Sequence, residues 1–152
     1  MHENFLSRFT RILLCVLFLA ILLAIAALPF FLKPMLAFFG DMFFGAPGYE
    51  NFILPFLLIC GVGALWILAE LILVMKTLKH DPFVVRNAKA FSRMAIAAEL
   101  LAVLFGIKTA FFFTPMTLAC CIVLLLCGLF AAVLSGVFRR AIEYKQENDL
   151  TI

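Results

Sequence analysis

Three ionisable side chains interrupt runs that are otherwise apolar: Glu70 within Phe52–Met75, and Glu99 and Lys108 within Met94–Phe113. A lone charge inside a membrane is expensive and normally faces a bundle interior or a water-filled cavity. Glu70 stands six residues before Lys76, and Glu99 six residues after Arg93. If those two cations mark the membrane surface, both carboxylates lie about 9 Å beneath it at the helical rise. On antiparallel helices they arrive at matching depth, where they could share a proton, a metal ion or a basic partner. The alternative is that each bonds separately to a hydroxyl or a basic group near the interface, such as Arg93 or Arg139, and the shallow depth favours this. Lys108 lies about 22 Å beyond Arg93 on the same helix. It is expected to snorkel toward the outer headgroups, helped by an ion pair with Asp41 or Glu50. Glu99 is a poor partner for it, being about 13.5 Å away on the opposite helix face.

Other chemistry is weakly represented. Cys15, Cys60, Cys120, Cys121 and Cys127 all fall in apolar runs, and none forms a Cys-x-x-Cys pair. They read as small apolar residues of the membrane rather than as a disulfide framework or a zinc site. His2 and His80 are isolated. No nucleophile–base pair or metal-ligand cluster is present, so the sequence points to no catalytic residue, no metal and no cofactor, and an enzyme is not expected.

The elements that position these residues follow from composition and run length. Of 152 residues, 66% are hydrophobic and 14% charged, and the mean hydropathy is +1.19. A soluble domain is typically about 45–50% apolar and about a quarter charged, so lipid is the implied solvent. A spanning helix needs about 20 apolar residues. Four runs qualify, over 12–32, 52–75, 94–113 and 116–138, and together they predict an all-α, integral membrane, antiparallel four-helix bundle of one domain, 1–152. The first run is too long for the core of a signal peptide, despite the cleavage-like Ala24-Ile25-Ala26. Pro29 is expected to kink or end it. Met35–Phe44 is expected to lie as a short segment in the headgroup region, and Pro47-Gly48 to turn the chain. Asp81-Pro82 and Thr114-Pro115 each read as an N-cap followed by a first-turn proline. The former would start a helical extension over 82–93, reaching about 18 Å beyond the membrane.

Charge sets the orientation. Ten of the twelve basic residues fall near one side: Arg8 and Arg11; Lys76, Lys79, Arg86, Lys89 and Arg93; Arg139, Arg140 and Lys145. The positive-inside rule places that side, with both termini, in the cytoplasm. Its basic stretches would hold anionic lipid headgroups or dock a soluble partner, with Glu143, Glu147 and Asp149 of the tail as complementary charge. The net charge of +3 is too small to imply direct nucleic-acid binding. Ala98, Ala102 and Gly106 on the third span, and Gly128, Ala132 and Gly136 on the fourth, repeat every four residues. Such faces let helices approach closely, and the short connection at Thr114 makes these two helices neighbours. A homo-oligomer interface is the alternative use of the stripes.

The stretch His80-Asp81-Pro82-Phe83 followed by Arg86-Asn87-Ala88-Lys89, and the close Phe138-Arg139-Arg140-Ala141 through Glu147-Asn148-Asp149-Leu150-Thr151-Ile152, resemble the bacterial four-span family known as domain of unknown function 2975. Span number and spacing match along the chain, while the specific motifs occupy the middle loop and the tail. The family is uncharacterised, so the resemblance assigns no catalytic residues. Its members are often encoded beside a small helix-turn-helix regulator, which implies a membrane-held partner of that kind. The leading expectation is therefore a regulatory or sensor protein of the bacterial cytoplasmic membrane that contacts a cytoplasmic partner. The rival is a small proton- or cation-coupled transporter or channel using Glu70 and Glu99.

Overall fold

The computed structural model describes residues 5–43, 48–77 and 83–150. These form four helices: α1 (Phe5–Phe43), α2 (Tyr49–Thr77), α3 (Val85–Phe111) and α4 (Pro115–Leu150). Each contains an apolar stretch long enough to cross a bilayer. Large apolar side chains such as Leu23, Val62, Leu100 and Val133 stand exposed along them, as they must where lipid is the solvent. The chain is a multi-pass membrane protein with the expected four-helix architecture.

Three local expectations are corrected. α1 does not end near Pro29, and the expected surface segment Met35–Phe44 is part of the same helix as far as Phe43, Phe44 lying outside the described residues. The helix runs through Pro29 and Pro34 to Phe43. Each proline removes one backbone hydrogen bond. Unwinding in hydrocarbon would leave several groups unsatisfied, so helix persists. α3 begins at Val85, after an extended Val84 (φ −107°, ψ 143°) that caps it without a side-chain bond. The expected cap, Asp81-Pro82, lies outside the described residues, but Phe83 and Val84 are not helical. The tail after Arg140 is helix and continues α4 to Leu150.

Two turns follow expectation. Gly48 adopts φ +87°, open to glycine at no steric cost. Pro115 opens α4, where the Thr114 carbonyl accepts from the amides of Thr117 and Leu118 at 3.0 and 3.2 Å.

Packing follows chain order. α1 lies on α2, α2 on α3 and α3 on α4, the last pair being the most extensive. Among the described residues no backbone contact joins α1 to α4, so the bundle keeps an open seam between them. Glycines set the close approaches on α2. A Cβ on Gly61 would meet Ile25 of α1 at 2.6 Å, and one on Gly63 would meet Leu101 of α3 at 2.9 Å. Two residues apart, these glycines face opposite sides of the helix, which is how α2 packs between two neighbours.

The alternation of helix direction gathers the starts of α1 and α3 and the ends of α2 and α4 at one end of the bundle. Arg8, Arg11, Lys76, Arg86, Lys89, Arg139 and Arg140 therefore share that end. It is called the basic end below, and the opposite one the far end.

Candidate functional site: a latched basic end and a buried lysine

Polar bonds tie three helices together toward the basic end. The Arg93 guanidinium grips the Glu70 carboxylate with two bonds, Nε to Oε1 at 2.6 Å and Nη2 to Oε2 at 2.8 Å. This is the fork geometry in which arginine binds carboxylates most strongly. Nearer the end, the Thr77 hydroxyl of α2 donates to Oδ1 of Asn87 on α3, and Asn87 is wholly buried. On the other side of α3, the Ser135 hydroxyl donates to the carbonyl oxygen of Ala88 at 2.8 Å. Deeper, the Cys121 thiol donates to the Ala102 carbonyl oxygen at 3.2 Å. All five cysteines are free.

These bonds set the helix register and, with it, the fate of the two carboxylates. Thr77 is level with Asn87, Glu70 with Arg93 and Gly63 with Leu101. Arg93 is thus no surface anchor; it lies at the depth of Glu70. Glu99, six residues further along α3, sits about 9 Å deeper still, so the expected matching depth does not hold. Glu99 also turns to a different neighbour. Its Oε1 packs where a Cβ on Gly128 would stand, and that oxygen is buried with no hydrogen-bond partner. It borders a cleft of about 600 Å³ between α3 and α4, lined also by Ser92, Ser135, Gly136 and Arg139. Glu70 has therefore taken the basic partner named in the alternative expectation, Arg93, and Glu99 stands apart from it.

Lys108 overturns the snorkelling expectation. It is 3% exposed, with Nζ 5.6 Å from the ring centre of Tyr49 and 5.7 Å from that of Phe56. Side chains on a helix tilt toward its N-terminus, which here swings Lys108 back into the bundle rather than out past the last turn. The side chains of Asp41 and Glu50, the expected partners, lie outside the described ones. Among the described residues no hydrogen bond or ion pair reaches Nζ. A lysine costs about 2.5–3.5 kcal/mol at the centre of a spanning helix on insertion scales, an upper limit for Lys108 in the last turn of α3, and a ring face returns about 0.5–1 kcal/mol, up to about 2 when desolvated. The two rings, near the outer limit of that interaction, offset part of the cost.

The remaining expected residues divide by position. Lys76, Arg86, Lys89, Arg139 and Arg140 are exposed at the basic end, while Lys79, His80 and His2 lie outside the described residues. Ala98 and Ala102 are buried in the α3–α4 interface, and a Cβ on Gly106 would meet the Cys121 sulfur at 3.8 Å. On α4 only Gly128 is buried, whereas Ala132 and Gly136 are exposed; Ala131 and Ser135 take the interface instead. Sequence reasoning missed Asn87 and Thr77 as latches, because a short polar residue beside a basic one looks like solvated surface, and Ser135, because a lone serine in an apolar span passes for a small packing residue. It also missed the Gly61-x-Gly63 pair, whose two-residue spacing was the available signal.

The family model described as "Protein of unknown function (DUF2975)" matches residues 46–152, a stretch that holds α2, α3 and α4 in full. No curated protein and no solved structure matches the chain.

Proposed function

The chain belongs to the DUF2975 family of proteins of unknown function, and we propose that it is a regulatory or sensor protein of the bacterial inner membrane that docks a soluble partner at its basic end. In this reading the basic end faces the cytoplasm, in keeping with the positive-inside rule. The observation that carries it is α4, which runs without a break from its apolar span through Arg139 and Arg140 to Leu150. Its last 12 residues extend for about 18 Å and expose Glu143, Tyr144, Lys145 and Glu147. A continuous helix couples the position of a span to the position of a charged docking surface. The latch from Ser135 to the Ala88 carbonyl supports the same reading, since it holds α3, with its exposed Arg86 and Lys89, in fixed relation to α4 and its tail. A helix-turn-helix regulator is the partner type proposed, and anionic headgroups would hold the surrounding membrane against the basic residues.

Two measurements test this. A C-terminal fluorescent fusion should be bright, and a C-terminal alkaline phosphatase fusion inactive, if the tail is cytoplasmic. A photo-crosslinking residue at Tyr144, in cells carrying the native gene neighbourhood, should then trap a helix-turn-helix protein. Crosslinks to lipid alone, together with an unchanged phenotype when the tail is exchanged for unrelated sequence, would remove the docking reading. Transport through a shared carboxylate pair has less support, because Glu70 pairs with Arg93 while Glu99 packs against Gly128 at a different depth.

A further inference from the structure

The buried ammonium of Lys108 belongs to a cavity of about 420 Å³ at the far end, where all four helices contribute: Leu36 from α1, Tyr49 and Phe56 from α2, Lys108 from α3, and Thr117 and Cys120 from α4. Its volume is in the range that holds small ligands, and its walls are apolar apart from a few groups. Two independent features make it attractive to an anion. One is Lys108, 3% exposed, to which no described carboxylate is paired. The other is the start of α4 at Pro115, which brings the positive end of a helix dipole to the cavity wall. The Thr117 hydroxyl is already engaged, donating to the Thr114 carbonyl at 2.8 Å, so Lys108 remains the principal group for an incoming anion.

The shape of the bundle says what else the ligand must have. Among the described residues no backbone contact joins α1 to α4, and Met35 and Met116, which line the cavity from those two helices, are 59% and 74% exposed. The cavity therefore opens sideways through the seam, toward acyl chains rather than toward water. A small hydrophilic anion would have to cross that apolar mouth unaided. A single-chain amphiphile would not, because its tail can stay in the seam while its head reaches Lys108.

We propose that this cavity is a binding site for a single-chain lipid anion, whose carboxylate or phosphate head pairs with Lys108 while its acyl chain leaves between α1 and α4. The site is independent of the docking reading: it lies at the other end of the bundle, and its occupancy is measured without a protein partner.

The test uses the full chain in nanodiscs of zwitterionic phosphatidylcholine and a palmitate analogue carrying a photoreactive diazirine on its chain. Crosslinks should concentrate on the residues bordering the seam. Unlabelled palmitate or lysophosphatidic acid should compete, with the stronger competitor identifying the head as carboxylate or phosphate. Methyl palmitate, which has the same chain and no charge, should compete about tenfold less well or worse, the difference expected from losing one charge-assisted bond. Lys108→Met should lower labelling by a similar factor and Lys108→Arg should retain it. Leu36→Trp, which fills the cavity without touching the charge, should also lower it. Crosslinks spread evenly over the exposed helix faces, or methyl palmitate competing as well as palmitate, would overturn the proposal. So would unchanged labelling of both Lys108→Met and Leu36→Trp. The competition series uses the unaltered protein, so it decides the matter even where a variant fails to fold.

Discussion

Arg93 of α3 and Glu70 of α2 meet through two parallel bonds of 2.6 and 2.8 Å, and that pairing fixes, together with Thr77–Asn87, how α2 and α3 sit along each other. The carboxylate side chain is 12% exposed and the guanidinium 44%, so the pair sits at the edge of the packed region. Breaking a fully buried pair costs about 3–5 kcal/mol because one charge is left stranded, whereas exposed pairs are worth about 0–1 kcal/mol. A half-exposed arginine places this one between those limits.

Glu70→Ala and Arg93→Ala are each expected to destabilise the bundle by about 2 kcal/mol, an intermediate between the two limits. The double variant should lose less than the sum, because the second substitution removes the stranded partner. Reversible unfolding in mixed micelles measures this. Additive losses would mean that the two side chains act separately.

Gly63→Val and Gly61→Val should each destabilise by about 1 kcal/mol, the low end of the range for overpacking, because the atoms they meet are the ends of the Leu101 and Ile25 side chains. Their added atoms would strike Leu101 and Ile25 at distances that real Cβ atoms do not show. Gly106→Ala is the control, since its nearest side-chain neighbour is an ordinary 3.8 Å away. Retained native helix association in Gly61→Val would contradict the α1–α2 contact, and in Gly63→Val the α2–α3 contact.

Asn87→Leu should cost about 1–3 kcal/mol through the loss of a buried bond to Thr77. The substitution is nearly matched in size, so the loss reports the polar latch rather than a cavity. Ser135→Ala should do the same on the α4 side with a smaller effect, because the Ala88 carbonyl keeps its helical partner. Hydrogen exchange would localise both losses to the start of α3. Uniform protection along α3 in either variant would show that the latch does not hold that turn.

Most of the architecture was legible because it depends on run length: four apolar stretches of spanning size leave few other folds. Thr114-Pro115 was legible because a proline at a helix start fits without cost. The continuation of α1 through Pro29 and Pro34 was not, because proline rules calibrated in water understate how strongly hydrocarbon enforces helix. The carboxylates were misplaced in depth for a different reason. Arg93 looks like a surface anchor when read alone, and only its pairing with Glu70 shows that it lies at the same depth. Lys108 was sent outward by the usual behaviour of terminal lysines, although the tilt of helical side chains already pointed inward.

Gly136 offers a test of self-association. Nothing lies within 4 Å of a Cβ placed there, so Gly136→Leu should leave the fold of one chain unchanged. If two copies pack through the exposed Ala132–Gly136 face, the same substitution should abolish the dimer. Sedimentation in density-matched detergent, alongside thermal unfolding, separates the two effects. An oligomer that survives Gly136→Leu does not use this face.

Lys108→Met should stabilise the ligand-free protein by about 1–3 kcal/mol, as often happens when a buried charge gives way to a packed apolar group. Methionine follows the same path as the lysine stem and adapts to the rings of Tyr49 and Phe56, so no large cavity replaces the ammonium. The sign of the change is the informative quantity. A lysine kept for the integrity of the bundle would make the variant less stable, since its partners would be lost. A lysine that awaits an anion is a cost borne by the empty protein, and residues of that kind are where stability and function oppose each other. Thermal unfolding of the two proteins in the same zwitterionic micelles reads the difference. Adding palmitate should then raise the midpoint of the natural protein toward that of the variant, while the variant itself stays where it was.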